Sequence, residues 1–197
     1  MYKFVETMRM GVDGIDNVDL HNSRLNATRQ VFWPGSTGIN LSEVFENEAG
    51  QEGFKARVVY DGTGIVEKSV SPYTMRDIKT LRVVDGGDID YRYKSVDRSA
   101  INTLLAQKGY CDDIIICRYG LLTDTSFTNI AIYDGERWLT PRTPLLCGTR
   151  RAALLSAGVI AEADLRFEHL HTAKKLCLFN AMMPFGVLEV SPENIIL

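Results

Sequence analysis

Tyr91-Arg-Tyr-Lys-Ser-Val-Asp-Arg98 is the stretch on which the fold turns. Lys94 closes an extended run and a helix start follows at once: Asp97 is placed to cap, and Ala100, Ile101, Leu104 and Leu105 recur at helical spacing until Gly109 stops the run. A strand end holds a side chain rigidly. An amine held there, among apolar neighbours and other cations, can serve as nucleophile or proton carrier near neutrality. Spacing alone does not separate that role from the ordinary one of a solvated surface lysine.

Upstream, Asp85-Gly-Gly-Asp88 is the strongest loop signal and divides the chain into an N-terminal α+β lobe, 1–86, and a larger C-terminal lobe, 87–197, that carries the lysine. The first lobe opens with a strand over 2–10 that contains Glu6 and Arg9. Asp19 is expected to cap a helix running to Phe32, where Pro34-Gly35 ends it, and a second helix is signalled from Ser42 to Gly50. From Phe54 the period becomes two. Phe54–Tyr60, the turn Asp61-Gly62 and Ile65–Ser71 read as a hairpin, and a further strand spans Ile78–Val84.

Downstream, Asp112–Arg118 is a buried-type strand, Thr123-Asp-Thr-Ser-Phe-Thr-Asn129 reads as a turn leading into a strand up to Tyr133, and Trp138–Pro141 is a short return strand. Gly148 then opens a helix whose first residues are Thr149, Arg150 and Arg151, and backbone amides at such a start bind anions, phosphate above all. A second helix is expected around Ala161–Leu165. The strand Lys175–Phe179 leads into Asn180-Ala-Met-Met-Pro184.

The composition is that of a globular protein: 197 residues, 45% apolar and 24% charged. A net charge of -3 gives no basic footprint for nucleic acid or anionic lipid. No apolar run reaches the length of a signal core or a membrane span, so the expected location is cytoplasmic. Cys111, Cys117, Cys147 and Cys177 are widely spaced, with no CxxC pair, and are expected to be reduced thiols.

Phe4-Val-Glu-Thr-Met-Arg9, His21-Asn-Ser-Arg-Leu25, Lys94–Arg98, Gly120–Asn129, Thr140-Pro141, Leu145–Arg151 and Asn180–Pro184 stand in one order. That order resembles the class IV aminotransferase family of fold-type IV pyridoxal-phosphate enzymes, which includes branched-chain and D-amino-acid aminotransferases and 4-amino-4-deoxychorismate lyase. The resemblance implies an α+β, two-lobed fold of the D-amino-acid aminotransferase type, with pyridoxal 5'-phosphate in the cleft and a homodimer. It makes Lys94 the Schiff-base lysine that also carries the substrate proton, and Arg24 the phosphate-binding arginine. Thr149 and Arg150, with Asn180 and Ala181, complete the phosphate cup. Asp124 takes the place of the family's acid on the pyridinium nitrogen, where a glutamate is usual.

Arg9 and Arg57 are the implied partners of a substrate carboxylate, and one of Tyr91 and Tyr93, taken here as Tyr93, faces the substrate while the other packs. His21 is expected to be structural. The implied chemistry is aminotransferase or aminodeoxychorismate lyase chemistry on a small amino acid or amino-substituted carboxylic acid, with a non-catalytic pyridoxal-phosphate-binding protein as the alternative. Family members carry further chain before the Phe4 strand and after the asparagine loop, so different walls are expected around the substrate.

Overall fold

The structure is a computed structural model that describes residues 2–48 and 52–197. The chain forms two compact units: one runs to Thr74 and takes in Tyr93–Asp97, and the other comprises Met75–Arg92 and Arg98–Leu197.

The first unit is an antiparallel sheet of β1 (Phe4–Gly11), β2 (Gly14–Ile15), β3 (Phe54–Asp61) and β4 (Gly64–Pro72), in the order β2-β1-β3-β4. Period-two alternation sets its core: Phe4, Met8 and Met10 of β1 and Ala56, Val58 and Tyr60 of β3 share one face. Against that face pack Leu25 of helix α1 (Val18–Phe32) and Leu41 of the short helix α2 (Leu41–Val44).

Helix α1 starts after Asn17, whose backbone is left-handed at φ 54, so Asp19 lies in the first turn instead of capping it. The second helix is capped by Asn40, whose side chain accepts from the Ser42 amide, and it stops at Val44, well short of the expected end at Gly50, which lies outside the described residues.

Lys94 does not end a strand. Residues 91–93 form no strand of their own, and the strip from Lys94 to Val96 borrows its partner from the edge of β1: Val5 N–H donates to Lys94 O (3.1 Å) and Val96 N–H to Lys3 O (3.0 Å). Nor does Asp97 cap the next helix, α3 (Ser99–Leu105), which begins after Arg98.

The second unit holds β5 (Leu81–Asp85), β6 (Asp113–Arg118), β7 (Leu121–Thr125), β8 (Asn129–Tyr133), β9 (Trp138–Pro141), β10 (Ile160–Ala163), β11 (Lys175–Phe179), β12 (Leu188–Val190) and β13 (Ile195–Ile196). They form one mixed sheet in the order β10-β9-β8-β7-β6-β5-β13, with β11 pairing β8 and β12. Because β5 runs parallel to β6, from Leu81↔Asp113 to Asp85↔Cys117, the Asp85–Asp88 loop lies inside this unit, and the chain passes between units at Thr74–Met75, Arg92–Tyr93 and Asp97–Arg98.

On one face Ile114 and Ile116 pack against Ile101 of α3, and elsewhere Ala131, Cys177 and Phe179 pack with Ile160. Asp124 lies in a strand, β7, and only Ser126–Thr128 turn the chain. The stretch around Ala161–Leu165, expected as helix, instead holds β10 in parallel register with β9 (Ala161↔Leu139), and the helix α5 follows at Phe167–Thr172. The helix led by Gly148 is α4 (Thr149–Ser156).

Candidate active site

In the first unit Arg24 and His21 meet at a buried carboxylate. Glu6 shares the core face of β1 with Phe4 and Met8. Its Oε1 accepts from Arg24 Nε (2.8 Å), and its Oε2 from Arg24 Nη2 (2.6 Å) and His21 Nδ1 (2.6 Å). Arg24 and His21 are three apart on α1 and so reach the same side of the helix. Burial on its own would raise the Glu6 pKa; the Arg24 charge and the hydrogen bonds from His21 and Arg24 outweigh it and hold Glu6 ionised, at about 2. Burial also lowers the His21 pKa against the pull of Glu6, and the Lys94 charge adds to that lowering.

Lys94 itself is half-buried and has φ 57, the left-handed region that a residue with a Cβ enters at a cost of about 1–2 kcal/mol. Its carbonyl is pinned to Val5 N–H, which sustains that conformation. Arg9 and Arg57 lie on the sheet face turned away from the Phe4–Met8–Met10 core. They make long contacts with Asp16 (3.4 Å) and Glu67 (3.3 Å). Both tyrosines beside Lys94 pack against neighbouring side chains, Tyr91 buried and Tyr93 half-buried. The Tyr93 ring meets Phe32 edge-on at 5.0 Å and Phe4 at 6.4 Å, while Tyr91 is buried with its hydroxyl accepting from Arg98 Nη1 (3.3 Å).

In the second unit Asp124 is held by a closed set of bonds. Asn129 Nδ2 donates to Asp124 Oδ1 (2.9 Å) and to Leu146 O (2.9 Å), and Leu146 N–H donates to Asp124 Oδ2 (2.8 Å). These donors are neutral amides, so burial prevails and pushes the Asp124 pKa up to about 7. Two residues on from Leu146, Gly148 precedes α4 in an extended conformation, and a Cβ built there would stand 2.0 Å from Asn129 Oδ1. Only glycine lets the backbone come so close.

Thr149 is buried at the start of α4, and Arg150 reaches across to Asn180 O (3.0 Å, Nε) and Ala181 O (3.2 Å, Nη2). Thr149, Arg150, Asn180 and Ala181, chosen from separate motifs, are thus brought together. Asn180 turns its own loop: its Oδ1 accepts from Met182 and Met183 N–H (2.9 and 3.0 Å). Glu6 and Asn129 were missed as site residues. A trace of Glu6 is legible, since an acid stands at 6 in the alternation of Phe4, Met8 and Met10; nothing in the local sequence marks Asn129 beyond its place in a turn motif.

Comparison with known proteins shows the family. The family model for amino-transferase class IV matches residues 65–191. An uncharacterised protein from Haemophilus influenzae is 32% identical over 187 residues, covering 92% of this chain and 98% of that one. The aminodeoxychorismate lyase of Saccharomyces cerevisiae is 33% identical over 98 residues, 44% of this chain and only 26% of the yeast protein. A crystal structure of a proposed 4-amino-4-deoxychorismate lyase from Haemophilus somnus superposes with a TM-score of 0.86 at 29% identity, covering 93% of this chain and 97% of that one. The chain belongs to the amino-transferase class IV family.

Proposed function

We propose that this chain is a pyridoxal-phosphate enzyme acting on an amino acid or amino-substituted carboxylic acid, with Lys94 as its catalytic residue. The observation that carries the reading is Lys94 itself, a lysine kept in a left-handed backbone by a hydrogen bond from the edge of β1. The family is pyridoxal-phosphate-dependent.

The residues present fit that cofactor. A helix start led by a glycine that leaves no room for a Cβ offers the Thr149 and Arg150 amides to a phosphate, and Arg24 offers a guanidinium. Asp124, buried among neutral donors and balanced near neutrality, is suited to a cationic ring nitrogen. Asn180 and Ala181 stand beside Arg150. When bound, the cofactor supplies an electron sink for charge developing on the carbon next to the substrate amine. Lys94 moves the proton at that carbon, and Arg9 and Arg57 meet the substrate carboxylate.

The outcome is either aminotransferase or 4-amino-4-deoxychorismate lyase chemistry, and the names of the yeast and Haemophilus somnus relatives favour the lyase. The same reading expects a cytoplasmic homodimer; among the described residues no helix is long and apolar enough to cross a membrane.

Borohydride treatment of the protein with pyridoxal phosphate, followed by peptide mapping, is expected to find the pyridoxyl group on Lys94; label elsewhere, or none, refutes the assignment. Incubation with aminodeoxychorismate is expected to yield 4-aminobenzoate and pyruvate without an amino acceptor. Keto acid from D-alanine or a branched-chain amino acid only when an acceptor is added would make it an aminotransferase instead.

A further inference from the structure

Along β1 the residues on the α1 side are Phe4, Glu6, Met8 and Met10, so a carboxylate stands where the alternation calls for an apolar side chain. Glu6 is 0% exposed. A buried ion pair is commonly no more stabilising than apolar side chains of the same volume, so stability alone does not account for it.

Its partners do. Two bonds grip the Arg24 guanidinium by its Nε–Nη2 edge, at 2.8 and 2.6 Å, and a planar fork held along one edge has its remaining directions set. The third bond, from His21 Nδ1 at 2.6 Å, uses the other lone pairs of Oε2, and because Glu6 is ionised that nitrogen is the donor. Thr28 Oγ1 bonds to the carbonyl of Arg24 (2.9 Å), so the backbone beneath the arginine is tied as well.

We infer that Glu6 is a positioning residue for the cofactor phosphate: it fixes the Arg24 guanidinium in one orientation and seats His21 beside it. The inference rests on the pyridoxal-phosphate reading above. The rotamer freedom that a long arginine would lose on gripping a phosphate is lost on folding instead, and the phosphate meets a group already aimed. Lys94 stands close enough for its charge to act on His21, so the Glu6 charge also offsets part of the positive charge that Arg24 and Lys94 bring together.

The test compares two ligands on two proteins. Pyridoxal phosphate and pyridoxal, which lacks the phosphate, are titrated by absorbance against the parent chain and Glu6→Gln, with the fold of each checked by circular dichroism. The phosphate ester is expected to bind the variant about tenfold or more weakly, as for loss of a charge-assisted bond, while pyridoxal changes by less than about twofold. Equal weakening of both ligands, or of neither, overturns the inference and leaves Glu6 a structural residue. If Glu6→Gln does not fold, Glu6→Asp replaces it and the same ratio decides. A parent chain that binds neither ligand overturns the cofactor reading and this inference together, whereas a parent and variant that prefer the phosphate equally overturn only the inference.

Discussion

Replacing Gly148 with alanine tests whether the Asp124, Asn129 and Leu146 set in the second unit is built as one interlocked piece. The new Cβ would stand 2.0 Å from Asn129 Oδ1 and 3.2 Å from its Cγ, so the asparagine side chain must move. It cannot move freely, because its Nδ2 serves both Asp124 Oδ1 and Leu146 O. Losing those two bonds costs about 1 kcal/mol each, and stranding a buried carboxylate oxygen adds about 1–3 kcal/mol, giving about 3–5 kcal/mol in all.

Urea unfolding of the purified protein measures this directly. Gly38→Ala is the control, since a Cβ there meets nothing closer than Asn26 Oδ1 at 3.9 Å and should change stability by less than about 0.5 kcal/mol. The double-mutant cycle sharpens the argument: once Asn129→Ala has removed the obstacle, Gly148→Ala should add little further cost. A Gly148→Ala loss below about 1 kcal/mol, or full additivity with Asn129→Ala, would refute the interlock.

Two further outcomes follow from single residues. Lys94→Gly should be about 1 kcal/mol more stable than Lys94→Ala in thermal unfolding, because φ 57 costs glycine nothing; equal stability would mean that the left-handed backbone stores no strain. Asp113 is 1% exposed and burial raises its pKa, so its contribution to stability is fullest below the ordinary carboxylate range and is lost as pH rises above that range, through the raised pKa of the folded chain. Asp113→Asn should therefore melt above the parent at pH 8, with the gap closing toward pH 4; a gap unchanged between the two would exclude ionisation as the cause.

Local signals carried the hairpin of β3 and β4. Alternation marks both strands, and the Asp61 side chain closes the turn by accepting from Thr63 N–H (2.8 Å), a bond two residues long. Non-local pairing hid what the sequence misplaced. Residues 160–163 carry helix formers, yet they pair with β9 some twenty residues back, and the extended look of the Lys94 strip comes from β1, about ninety residues away.

The same divide runs through the site. Lys94, Asp124, Arg150 and Asn180 sit in recognisable motifs in a recognisable order. Glu6 acquires its meaning only from His21 and Arg24 on another element, and Asn129 from Leu146 across a loop. The packing of Tyr93 against Phe4 and Phe32 was equally beyond reach of its own neighbours in sequence.

The return of Tyr93–Asp97 to the first unit shapes how the chain can be made and cut. During synthesis the edge of β1 waits with Val5 N–H unpaired while Met75–Arg92, which belongs to the other unit, leaves the ribosome. A piece ending at Thr74 lacks both the strip that covers that edge and the Tyr93 ring that closes over Phe4 and Phe32. The first unit is compact in space and interrupted in sequence, so no single cut liberates it whole, and the lysine on which the chemistry is proposed to rest arrives with the last segment that completes it.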